Sequence, residues 1–138
     1  MRESNQLKEC QKLWAAHKYL VLSKSGSIYN EIREYLKREN AQVRHVLTLI
    51  DQARTLPEDR GQVCNAFQHI WGYFKKHATR DEKAEFMYCL EQYRSGQVEQ
   101  EILLGAVRKL LAVYPNKYLQ QSHLLFGEQD ETVASRYD

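Results

Sequence analysis

An all-α fold, a single irregular bundle of about seven helices, is predicted by three observations. Apolar residues recur with a period near 3.6 almost throughout the chain. Only 6 Gly and 2 Pro interrupt its 138 residues. Strong helix formers (Leu, Glu, Lys, Gln and Arg) are abundant, which argues against a turn-rich all-β fold. At ~100–200 residues per domain the length suits one domain. A globule of this size buries roughly 68–70% of its unfolded surface, enough for a core without disulfides or metal. With 43% hydrophobic and 28% charged residues, the composition is that of a folded domain.

The elements follow in order. Leu7, Cys10, Leu13, Trp14, His17 and Val21 form one stripe of a first helix over about 5–22. Ser23-Lys-Ser-Gly-Ser27 stops it, with Gly26 in the left-handed C-terminal conformation. Ile28, Ile32, Tyr35 and Leu36 mark a short second helix; Val43, Val46, Leu47, Ile50 and Ala53 mark a third, closing before Pro57. Thr55-Leu-Pro-Glu-Asp59 places Pro and acids in the first turn of a fourth helix running to about His77. Thr79-Arg-Asp-Glu82 reads as a capping box for a fifth helix, ended by Ser95-Gly96. Ile102, Leu103, Ala106, Val107, Leu110 and Leu111 give a strongly amphipathic sixth helix, broken at Tyr114-Pro115, and a seventh spans roughly 117–125. The helical domain is thus expected over 1–126, with a frayed acidic tail over 127–138.

That tail holds Glu128, Asp130, Glu131 and Asp138 against Arg136, so residues 1–126 carry 19 bases and 14 acids. A moderately basic body suits an anionic partner. The N-terminus MRESNQLKECQK lacks the apolar core of a signal peptide. No stretch approaches the ~18 apolar residues of a membrane span. A cytoplasmic, non-membrane protein is the expectation. Cys10, Cys64 and Cys89 are isolated, with no CxxC and no Cys/His cluster, so three buried or half-buried thiols are expected and no metal or other cofactor.

The fourth helix carries the most informative candidates. Val63, Phe67, Ile70, Trp71 and Phe74 make a core stripe, while Asn65, His69, Gly72 and Lys76 fall opposite it, with Tyr73 at the edge. Gly within a helix costs ~1 kcal/mol relative to Ala. Gly72 therefore implies close approach by another backbone, a crossing helix or a ligand. Tyr73-Phe-Lys75-Lys76-His77 places an aromatic pair beside cations that suit both the helix dipole and an RNA surface. On the first helix, His17 lies on the apolar stripe with Lys18 and Tyr19 beside it and Lys24 in the following turn. It fits a satisfied core histidine or, with its neighbours, an anion or nucleobase site. No nucleophile elbow, P-loop, Rossmann glycine pattern or H-E-x-x-H is present.

Three stretches together resemble the YbgA-like domain, a domain of unknown function. They are WAAHKYLVLSKS (14–25) followed by Tyr29, VCNAFQHIWGYFKK (63–76) and LEQYRSG (90–96). The most specific elements are His17-Lys18-Tyr19, Asn65 with His69, Gly72-Tyr73-Phe74-Lys75, and Tyr93-Arg94-x-Gly96, and the resemblance spans about 13–126. The chain departs from the pattern at Gln97-Val-Glu-Gln-Glu101 and at Ser122 and Leu124. In many bacteria this domain follows an iron–sulfur desulfidase that removes sulfur from thiolated uracil, including 4-thiouridine in transfer RNA. The resemblance implies an RNA-binding module, its RNA a transfer RNA, linked to thionucleoside metabolism and acting alone or with a separate desulfidase. It implies RNA contacts through His17, Lys18, Tyr19, Lys24, Asn65, His69, Gly72, Tyr73, Lys75, Lys76 and Arg94. Two other classes stay open: a nucleobase-acting enzyme using His17 or His69 as general acid/base with Lys18 holding the anion, and a module that docks on a desulfidase or repair enzyme.

Overall fold

The computed structural model describes residues 2–127, with side chains from Asn5 onward. The expected tail, apart from Gly127, lies outside the described residues. Eight helices and no strand are found among them: α1 (Arg2–Lys24), α2 (Gly26–Tyr35), α3 (Val43–Arg54), α4 (Arg60–Trp71), α5 (Arg80–Arg94), α6 (Gln100–Val113), α7 (Lys117–Gln120) and α8 (His123–Phe126). The all-α expectation holds. The seventh predicted helix is two single turns, separated by Gln121 and Ser122.

Helix α1 organises the bundle by packing on α4, α3, α2 and α8. It buries two faces rather than one stripe. Cys10, Leu13 and Val21 join Ile32, Val46, Ile50 and Ala53 in a core with α2 and α3. Tyr19 and Leu22 join Phe67, Ile70, Phe86, Leu103 and Leu125 in a second core built by α4, α5, α6 and α8. Residues two positions apart on a helix point about 200° apart, so Tyr19 and Val21 serve opposite cores.

Several boundaries differ from the sequence expectation for local reasons. Gly26 does not adopt a left-handed conformation. It is the first residue of α2, whose N-cap Ser25 accepts the Ile28 N–H at 3.0 Å. Pro57 and Glu58 precede α4 instead of opening it. Asp59 is the N-cap, accepting the Gln62 N–H at 3.1 Å, and the Glu58 carboxylate accepts the Tyr93 hydroxyl. The capping box forms as predicted, with Thr79 and Glu82 bonding reciprocally. At the end of α5 the Gln97 N–H reaches the Gln92 carbonyl and the Gly96 N–H the Tyr93 carbonyl. This is a Schellman closure that requires the φ of +84° found at Gly96.

Arg60 locks that corner. Its guanidinium donates to the carbonyls of Tyr93 (2.6 Å) and Val98 (2.9 Å) and to Glu99 (3.0 Å), and lies 4.4 Å from the Tyr93 ring centroid. The Tyr93-Arg94-x-Gly96 string is therefore a helix-termination device, with Tyr93 fully buried. Cys10 and Cys64 are buried and Cys89 half-buried, as expected. Burial pushes the Cys10 thiol up to about 11, with Glu9 adding to the rise.

Candidate nucleic-acid interface

The sequence predicts a fourth helix continuous to His77, but α4 ends at Trp71. From Gly72 the N–H groups of residues 72, 73 and 74 bond to carbonyls three residues back, at 3.1, 3.0 and 2.9 Å. Such tightened turns advance about 120° per residue, so the segment 72–77 is rotated relative to the helical wheel. Phe74 stays in the core, Lys75 and Lys76 project to solvent, and Tyr73 is half-buried toward α1. Gly72 is the C-cap. A Cβ there would meet the His69 carbonyl of its own preceding turn at 3.0 Å, with no other atom outside its immediate neighbours within 4 Å. The inferred approach of another backbone is thus replaced by crowding within the turn itself.

Tyr73 meets the first helix through Tyr19, their hydroxyls 2.9 Å apart and their rings edge-to-face at 6.3 Å. Tyr118, from α7, lies nearly parallel to Tyr73 at 6.1 Å and 14°. The Lys18 ammonium sits 5.6 Å from the Tyr19 ring centroid and 5.7 Å from that of Tyr118. On the α2 side, Tyr29 packs against Trp14 at 5.2 Å, and the Arg33 guanidinium lies 5.8 Å from the Tyr29 centroid. Four sequence-distant segments thus assemble one aromatic cluster bearing two cations. Trp14, Lys18, Tyr29, Tyr73 and Tyr118 are half-buried and Arg33 is exposed.

The cluster's protonation states follow from this packing. Burial first, then the hydrogen bond to Tyr73, raises the Tyr19 hydroxyl well above the usual phenol range. Burial and the neighbouring Tyr73 and Tyr29 raise that of Tyr118. These phenols stay neutral near pH 7 and act as hydrogen-bonding and stacking surfaces. Burial lowers Lys18 from the ordinary lysine value, and repulsion from Arg33 lowers it further.

The other predicted site residues fall elsewhere. His17 is 1% exposed, donates from Nδ1 to the Leu13 carbonyl at 2.9 Å and packs on the His123 ring at 4.0 Å. It belongs to the interior, not to the surface where Asn65 and His69 are exposed on α4, so His17 and His69 do not line one cleft. Lys24 donates to the Leu56 carbonyl at 2.8 Å and ties the end of α1 to the α3–α4 connection. Arg94 pairs with Glu91 at 2.7 Å at the end of α5. Of the eleven residues proposed from sequence, Lys18, Tyr19 and Tyr73 are brought together. Trp14, Tyr29, Arg33 and Tyr118 complete the cluster without having been singled out as site residues. The i, i+4 spacings Trp14–Lys18 and Tyr29–Arg33 were the available signal.

Residues 18–126 match the family described as "Protein of unknown function (DUF1722)". The chain belongs to the DUF1722 family. No curated protein and no solved structure matches it. The DUF1722 span takes in Lys18, Tyr19, Tyr29, Arg33, Tyr73 and Tyr118, so six of the cluster's seven residues lie within the family region. No helix of the described residues is long and apolar enough to cross a membrane.

Proposed function

We propose that this chain is a helical RNA-binding module, and that the Lys18–Tyr73–Tyr118 cluster with the adjoining Lys75 and Lys76 is its RNA surface. The observation that carries the reading is the convergence of half-buried aromatic rings with cations on one side of α1. Single-stranded RNA is bound by this combination: bases stack on aromatic faces while Lys and Arg take the phosphates. The basic body, 19 Lys and Arg against 14 Asp and Glu over residues 1–126, favours approach of a polyanion. The resemblance to YbgA-like domains supports transfer RNA as the partner and thionucleoside metabolism in the cytoplasm as the setting, alone or beside a separate iron–sulfur desulfidase.

Fluorescence anisotropy with transfer RNA across a salt series tests this. Affinity falls log-linearly with salt, and Lys75→Ala with Lys76→Ala shallows the slope by up to about two units, at ~0.7–0.9 per phosphate. Tyr73→Ala weakens binding by about 1–3 kcal/mol without changing the slope. Wild-type binding no tighter than the non-specific range of ~10⁻⁴–10⁻⁶ M at physiological salt defeats the reading.

A further inference from the structure

We infer that Lys18 and Arg33 form a phosphate clamp for a single nucleotide, whose base lies against the adjoining tyrosine faces. The inference rests on the RNA-binding reading and narrows it to one ligand chemistry. Five lysines and arginines elsewhere on the surface sit in ion pairs: Lys12 with Glu9, Lys37 with Glu34, Arg60 with Glu99, Arg94 with Glu91 and Lys109 with Glu85. Neither Lys18 nor Arg33 forms an ion pair among the described residues; both lie over aromatic rings, and Glu34, whose carboxyl Arg33 helps to lower, is already paired with Lys37. The two cations stand on consecutive helices against one ring cluster: Lys18 over Tyr19 and Tyr118, and Arg33 over Tyr29, which packs on Trp14 one turn before Lys18. Burial, and then repulsion from Arg33, disfavours the Lys18 charge.

Two like charges that repel one another and stand outside any ion pair are stabilised by a bridging anion. An arginine fork beside a compact ammonium matches a phosphate group, which offers oxygens to both. The aromatic walls add what inorganic phosphate does not use. Tyr118 and Tyr73 keep part of their surface open, and stacking on such rings tolerates any base. Because Lys18 is half-buried between the rings of Tyr19 and Tyr118, the phosphate that reaches it belongs to an unpaired nucleotide.

The test is calorimetric titration of the full chain at low salt with adenosine 5′-monophosphate, adenosine and inorganic phosphate. The monophosphate binds about tenfold or more tightly than either fragment, and Lys18→Met or Arg33→Gln each weakens it about tenfold, whereas Lys109→Ala on the α5–α6 face does not. Lys18→Met keeps the aliphatic stem over the rings and removes a half-buried charge, so its melting temperature is equal to or above wild type. In ¹⁵N spectra the Lys18 ammonium titrates at higher pH once the monophosphate is bound. Equal binding of monophosphate and adenosine, or wild-type affinity in both clamp variants, overturns the clamp. Salt-dependent transfer RNA binding without monophosphate binding also overturns it, and leaves the RNA reading on Lys75 and Lys76. Monophosphate binding without transfer RNA binding upholds the clamp, with a free nucleotide as its source, and overturns the RNA reading.

Discussion

Glu82 carries two jobs through one carboxylate. It closes the capping box of α5 by accepting the Thr79 N–H at 2.8 Å, and it accepts the Tyr114 hydroxyl from beyond α6 at 2.6 Å. The Tyr114 bond, followed by the Thr79 backbone bond, holds its carboxyl below the ordinary value of 4.5. A carboxyl whose pKa is depressed by folding stabilises the fold fully above its unfolded value, and loses that contribution as pH falls through the folded one. Tyr114→Phe removes the larger cause. In denaturant melts at a series of pH values, the variant loses less stability than wild type on acidification below about pH 4.5. Parallel curves for the two proteins would show that the hydroxyl contributes nothing to this linkage. Lys18 is the opposite case, a cation whose charged form the folded state disfavours.

At the scale of elements, helix termination decides where side chains face. The Schellman closure at Gly96 depends on φ of +84°, whereas Gly105 lies inside α6 with open space where a Cβ would go. Gly96→Ala therefore destabilises by about 1–2 kcal/mol, while Gly105→Ala stabilises by about 0.5–1 kcal/mol. Urea midpoints moving in opposite directions are the expected result; a Gly96→Ala midpoint at wild-type value contradicts the assigned turn.

The same scale separates what sequence could show from what it could not. The stripe Val63, Phe67, Ile70, Trp71 and Phe74 was legible because all five are buried as predicted, and Thr79-x-x-Glu82 because capping is local chemistry. Position 72 was misread because helical continuation and a tightened C-terminal turn share residue preferences through Tyr73 and Phe74. Only the backbone bonds of residues 72–74 distinguish them. Helix α1 was read as one-sided because Tyr19 and Leu22 lie off its main apolar stripe, and their burial comes from α4 and α8 packing over them. His17 was open between core and site; the structure buries it at 1% exposure against the His123 ring, 106 positions later, a contact that no local pattern reveals. Tyr118 could not be assigned at all from its neighbours, since its meaning lies in contacts with Lys18 and Tyr73.

Across the whole molecule, α1 is shared by two cores and carries the cationic cluster along the seam between α2, the 72–77 turns and α7. The proposed binding surface is thus set on the most extensively packed helix of the fold, which would limit the ordering that binding must supply. Elsewhere, Tyr88, Ile102 and Val113 are exposed on α5 and α6, apolar groups with no comparable pairing of rings with cations outside ion pairs among the described residues. The proposed function puts RNA on the α1 cluster, and an amide and side-chain NMR map of the ¹⁵N-labelled chain titrated with transfer RNA tests this most directly. Shifts or broadening concentrated at Lys18, Tyr29, Arg33, residues 72–77 and Tyr118, with α5 and the exposed face of α6 unchanged, is the predicted result. Perturbation centred on Tyr88, Ile102 and Val113, with Lys18 and Tyr118 silent, would contradict it.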